Sequence, residues 1–84
     1  MPALQGDIVS LVRNVVLSLV DEPEQAQIES SEESDTLIIE IRVSPDDVGK
    51  VIGRQGRIIK AIRTLARAAS AYMGGPRIEV EVAD

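Results

Sequence analysis

Two helical patterns meet at a pair of glycines, Gly53 and Gly56, and this break constrains the fold more than any other feature of the chain. Upstream, Ser44-Pro45-Asp46-Asp47 combines a cap serine, a proline at the first helical position and an acidic residue three after the cap. That pattern predicts a short helix from Pro45 to about Ile52. Downstream, a second helix begins near Gly56 and is ended by Gly74-Gly75-Pro76. Glycines three apart interrupt a continuous helix, and they let the backbone turn sharply and approach a ligand with no Cβ in the way.

The remaining segments supply the layers that such a helix pair needs. Ile8, Leu11, Val12, Val15, Val16 and Leu19 recur at three- and four-residue spacing, predicting a helix from about Asp7, its N-cap, to Val20. Asp21-Glu22-Pro23 stops it. A short strand is expected at Ala26–Glu29, a hairpin loop over the polar run Ser30–Asp35, and a strand at Thr36–Val43 with Leu37, Ile39, Ile41 and Val43 on one face. Arg77–Val82 alternates charged and apolar residues as a half-buried strand does. On the second helix of the glycine pair, a wheel places Ile58, Ile62, Leu65, Ala69 and Tyr72 on one side. Arg57, Lys60, Arg63 and Arg67 fall roughly opposite. The expected architecture is α+β in the order αββααβ, with a three-stranded sheet packed against three helices on one face. At 84 residues it forms a single domain spanning 1–84.

Composition removes most catalytic classes. The chain has no Cys and no His, so thiolate and imidazole ligands, a Cys nucleophile and a disulfide framework are all lacking. No metal site, cofactor or catalytic residue is expected. The phosphate-loop pattern Gly-x-x-x-x-Gly-Lys-Ser/Thr and the pattern Gly-x-Gly-x-x-Gly are both absent. Asp46-Asp47 and Glu32-Glu33 read as a helix start and a solvated hairpin. The start of the chain lacks the basic residues and apolar run of a signal peptide, and no stretch nears the roughly 20 apolar residues of a membrane span. A cytoplasmic protein with no membrane partner is expected.

The net charge of −5 argues at first against a polyanionic partner. Its distribution reverses that reading. Lys50, Arg54, Arg57, Lys60, Arg63, Arg67 and Arg77 lie between Val48 and Arg77 with no acid among them, so this segment carries +7 and the rest of the chain −12. Local field, not net charge, decides where a polyanion docks. At the glycine break, Arg54 and Gln55 occupy the two open positions, with Lys50, Arg57 and Lys60 beside them. The first amides of the second helix point toward the loop, where a phosphate is held well.

A Gly-x-x-Gly spacing alone also fits a plain helix–helix turn. Its setting is more specific: Val51-Ile52-Gly53-Arg54-Gln55-Gly56-Arg57-Ile58-Ile59, between two helices in an acid-free basic segment, resembles the signature of the KH domain. The order αββααβ resembles the type II variant of that fold, and Val43–Lys50 resembles the small bacterial single-KH proteins of the KhpA kind. The resemblance implies binding of single-stranded RNA, whose backbone such a loop clamps over about four nucleotides. It further implies association into a homodimer, or a heterodimer with another KH-containing RNA-binding protein. Carried over residue by residue, Gly53 and Gly56 shape the clamp and Arg54 and Gln55 meet the RNA backbone. Lys50, Arg57 and Lys60 flank it, and Ile52 and Ile58 anchor the helices beneath. Ile39 and Ile41 are weaker candidates for a groove floor, with core packing the alternative, and Arg63 and Arg67 are steering charges only. Tyr72 is the sole aromatic. With no stacking platform, base discrimination is expected to be poor, as suits an RNA chaperone. The competing reading is a KH-like protein–protein interaction module within a larger complex.

Overall fold

The computed structural model describes residues 2–83, with the backbone alone for residues 2–5. Helix α1 spans Pro2–Leu19, strand β1 Gln27–Glu33, strand β2 Thr36–Arg42, helix α2 Val48–Ile52, helix α3 Arg57–Tyr72 and strand β3 Arg77–Val82. Single 3-10 turns occur at Pro23–Gln25, Pro45–Asp47 and Arg54–Gly56. The sheet order is β1-β2-β3, with β1 antiparallel and β3 parallel to β2. This is the αββααβ order and one-sided layering expected of a type II KH fold.

The core is one aliphatic cluster between the helices and the inner face of the sheet. It joins Ile8, Val12 and Val16 of α1 and Val20 just beyond it to Leu37, Ile39 and Ile41 of β2. Val51 of α2, Ile59, Ile62 and Ala66 of α3, and Ile78 and Val80 of β3 complete it. Ile39 and Ile41 are fully buried here, which rules them out as an accessible groove floor.

Three local expectations are corrected. Helix α1 begins five residues before Asp7, because proline is tolerated in a first turn and nothing from Pro2 to Gly6 stops the helix. Strand β1 extends through Glu33, so the hairpin loop is only Ser34-Asp35, with Ser34 at φ 52°. The run Ser30–Glu33 is exposed despite its pairing with Thr36–Ile39, since β1 is an edge strand whose inner positions lie beyond the helices. On α3 the buried stripe is Ile59, Ile62, Ala66 and Ser70, rotated from the predicted one, and Leu65 and Tyr72 face outward. Small residues face the sheet where the helix lies close to it, and Ser70 Oγ donates to the Pro76 carbonyl at 2.5 Å.

The uncovered face of the sheet gathers five glutamates. The register sets Glu29, Glu40 and Glu81 abreast across the three strands, with Glu33 and Glu79 on the same face. Arg42 on this face donates to Glu40 at 3.0 Å. The core thus separates this sheet-face charge from the cations on the first turns of α3, whereas Asp21 and Asp47 lie on the helical side beside Lys50.

Candidate functional site

The loop between α2 and α3 can be built only around a glycine at position 53. Gly53 has φ 76° and ψ 173°, a region that side chains rarely enter. A Cβ there would stand 2.6 Å from Ile58 Cγ1 and 2.9 Å from the Ile58 backbone nitrogen. Gly53 N–H closes α2 by donating to the Gly49 carbonyl at 2.8 Å, and Gly56 N–H returns to the Gly53 carbonyl at 3.1 Å. Gly56 is left-handed at φ 72°, and a Cβ added there would meet no atom closer than 3.8 Å, so its requirement is conformational and not steric. Between them Gln55 is also left-handed, at φ 56° and ψ 25°, a cost of order 1 kcal/mol for a non-glycine residue.

That backbone pushes Arg54 and Gln55 out into solvent, with Arg57 and Lys60 exposed on the first turn of α3. Arg57 Nη2 donates to Gln55 Oε1 at 3.2 Å, tying the loop to the helix it precedes. No side chain caps the N-terminus of α3, so its positive end is open behind the loop. Ile52 and Ile58 are half-buried and pack against the core from the two sides of the loop. The structure therefore brings together Ile52, Gly53, Arg54, Gln55, Gly56, Arg57, Ile58 and Lys60.

Lys50 stands apart from this group. Its ammonium donates to the carboxylate of Asp21 and, at 3.0 Å, to Asp47 Oδ1. Arg63 and Arg67, read from sequence as steering charges, reach across to β3. Arg63 Nε donates to the Val80 carbonyl at 3.0 Å and Arg67 Nε to the Ile78 carbonyl at 3.4 Å, covering the free edge of that strand. A shallow cleft lined by Arg67, Arg77, Ile78 and Glu79 continues the basic surface toward the far end of α3.

The residue that sequence reasoning misplaced is Asp47. It does not complete a capping box, and Ser44 Oγ instead donates to Glu22 Oε2 at 2.7 Å. The Asp47 carboxylate is fully buried, and it accepts the Asp21 amide at 3.1 Å and the Glu22 amide at 3.0 Å as well as Lys50. Burial raises its pKa, but the two amides and the Lys50 ammonium outweigh that and hold it below the usual aspartate value. Asp21 and Asp47 in turn hold Lys50 above the ordinary lysine value. This cluster fixes the start of α2, and through it the approach to Gly53, against the turn that follows α1.

Among the described residues no group of His, Cys, Asp or Glu could hold a metal ion, and no helix is long and apolar enough to cross a membrane. Residues 9–82 match the family model "KhpA/KhpB, KH domain". A protein of Clostridium perfringens named RNA-binding protein KhpA is 46% identical over 72 residues, covering 86% of this chain and 95% of the relative. A protein of the same name from Borreliella burgdorferi is 42% identical over 79 residues, covering 94% and 95%. Among solved structures, Aquifex aeolicus Era bound to GDP.AlF4- superposes with a TM-score of 0.61 at 24% identity, over 90% of this chain and 30% of that one. The last likeness concerns the fold alone.

Proposed function

The chain belongs to the KhpA/KhpB family of KH-domain proteins, and from that membership we propose that it binds single-stranded RNA with the Gly53–Gly56 loop. Its relatives are named as RNA-binding proteins and not as enzymes. The observation that carries the reading is Gly53 itself: a backbone that excludes any Cβ, with two exposed polar side chains in front and an uncapped helix N-terminus behind. In this reading Gly53 and Gly56 shape the clamp, and Arg54 and Gln55 meet the sugar-phosphate backbone. Arg57 and Lys60 add charge, and Ile52 and Ile58 hold the two helices apart at the right spacing. Lys50 contributes only as far as its carboxylate partners allow. Base discrimination is low, because Tyr72 is the sole aromatic and lies at the other end of α3. Such a protein acts in the cytoplasm as an RNA chaperone for many sequences.

The test is fluorescence anisotropy of labelled single-stranded RNAs of unrelated sequence, titrated from about 50 to 200 mM salt. The native protein is expected to bind them alike within about threefold, with log K falling by about 0.7 per phosphate contact against log salt. The paired change Arg54→Asp and Gln55→Asp keeps both glycines and is expected to weaken binding by more than about tenfold, since two carboxylates then face the phosphates. Equal binding by native and variant would remove the loop from the RNA site.

A second reading, self-association, is favoured by one stripe on α3. Leu65 is 46% exposed and Tyr72 91%, and with the exposed Ala61 and Ala68 they form a seam at four- and three-residue spacing. Two copies packed antiparallel along it would set Tyr72 over the partner's Ala61 and Leu65 over the partner's Ala68, large against small on both sides of a twofold axis. The flanking residues that meet are Thr64 and Ala71, both uncharged. Sheet edges are poor alternatives, β3 being covered by Arg63 and Arg67 and β1 carrying Glu29, Glu32 and Glu33. Two tyrosines of this exposure contribute on the order of 400 Å² to an interface near the lower size limit, predicting a weak, concentration-dependent dimer. Sedimentation should show the native protein dimerising and a Leu65→Lys, Tyr72→Asp variant staying monomeric; identical behaviour would exclude this stripe. A second KH-containing protein with a matching helix would use the same surface.

A further inference from the structure

We propose that Asp21 sets the affinity of the RNA site by occupying, on Lys50, the place that a backbone phosphate would take. The inference rests on the RNA reading of the loop and assigns a role to a residue outside it. Lys50 lies on α2 three residues before Gly53, one turn from the loop, and it is the basic residue nearest the clamp on the upstream side. Its ammonium carries three donors, of which one goes to Asp47 and one to Asp21.

The two carboxylates differ in how firmly they are held. Asp47 has a side chain only 1% exposed and is fixed by two backbone amides as well as by Lys50. It is part of the architecture. The Asp21 side chain is 76% exposed, and Lys50, whose own side chain is 42% exposed, is its partner. An ion pair so open to water contributes little to stability, and its carboxylate exchanges readily for another anion. Position 50 lies three residues before Gly53, so a phosphodiester in the glycine loop would stand about one turn of helix from the Lys50 backbone. When Asp21 yields, the flexible four-carbon stem of Lys50 lets its ammonium turn toward the phosphate in place of that carboxylate. Asp21 thus has two effects on binding: it competes for Lys50, and it places a negative charge beside the incoming strand.

The backbone of Asp21 plays a separate part, since its N–H donates to Asp47 Oδ1. Asp21→Asn removes the charge while leaving that bond in place, so the melting temperature is expected to move by no more than about 3 °C. RNA affinity at about 50 mM salt is expected to rise roughly three- to tenfold, and the salt slope to steepen by about 0.7, one additional phosphate contact. Asp21→Glu should restore native affinity, and adding Lys50→Gln to Asp21→Asn should cancel most of the gain.

The titration is run on the native protein, these three variants and the Arg54→Asp, Gln55→Asp variant together. Unchanged affinity in Asp21→Asn, with binding still lost in the loop variant, overturns the masking and leaves the loop reading intact. A gain in Asp21→Asn that persists with Lys50→Gln reduces the effect to general charge and overturns the exchange at Lys50. Absence of binding in native and Asp21→Asn alike at low salt overturns both readings, whereas binding that emerges only in Asp21→Asn is the strongest form of masking.

Discussion

Replacing Gly53 by alanine is expected to destabilise the protein by about 3 kcal/mol, lowering the melting temperature by roughly 10 to 20 °C. Two costs combine. The first is conformational: φ 76° with ψ 173° is close to glycine-only territory, and forcing an L residue there costs of order 1 to 3 kcal/mol. The second is steric, because the new methyl would stand 2.6 Å from Ile58 Cγ1 and 2.9 Å from the Ile58 amide nitrogen. The side-chain contact could be relieved by a rotamer change. The contact with the backbone nitrogen can be relieved only by moving the first turn of α3, whose Ile59 and Ile62 lie in the core.

Gly56 provides the internal control. It is left-handed, but a methyl there meets nothing closer than 3.8 Å, so Gly56→Ala is expected to cost only about 1 kcal/mol. Thermal melts of the two variants side by side separate the contributions. A Gly53→Ala melt no lower than that of Gly56→Ala would mean that α3 shifts freely, and that the loop is not a rigid clamp. If the variant keeps enough fold to be titrated, RNA binding should fall with it, since the strain is relieved by displacing the surface that Arg54 and Gln55 project from.

The two glycines, the basic segment and the main helices and strands were legible because each rests on local chemistry. Alternation in β2 and β3 and the α1 stripe follow from burying one face, and Gly74 ends α3 in the left-handed conformation at φ 70°. What sequence left out depends on partners distant in the chain. The strand Gln27–Glu33 shows no apolar alternation, because Ser30 and Glu32 pair with Ile39 and Leu37 at an edge the helices do not cover. On α3 the apolar residues form two stripes, and hydrophobicity alone cannot tell the core stripe from the exposed one: Ile62 belongs to the first, Leu65 and Tyr72 to the second. Lys50 reads as a free cation from spacing. Its ties to Asp21, 29 positions away, are visible only once the chain is folded. The position of Asp47, three after a serine, likewise matches a local capping box, whereas the two backbone amides it accepts are 25 and 26 residues upstream.

Asp47 therefore carries the second large prediction. Asp47→Asn keeps size and shape but puts an amide nitrogen where an oxygen now accepts, so one of the Asp21 and Glu22 amides meets a donor and loses its partner. Lys50 at the same time loses the charge of its buried partner. The melting temperature at neutral pH is expected to fall by on the order of 10 °C. The effect has a pH signature that packing damage lacks. Because the folded state holds the Asp47 pKa below its unfolded value, the stabilisation is fully present above the unfolded aspartate value, near 3.9, and is lost as pH falls through the folded one. Native and variant melting temperatures should therefore differ by a constant amount from about pH 7 to about pH 5 and draw progressively closer as the pH falls below about 4. Lys50, raised by its two carboxylates, stays protonated throughout that range and adds no slope of its own. A gap that persists unchanged into acid would show that the carboxylate's charge is not what fastens α2 to the turn after α1. Convergence would show that one buried anion, gathering two amides and an ammonium, holds in place the helix from which the glycine loop departs.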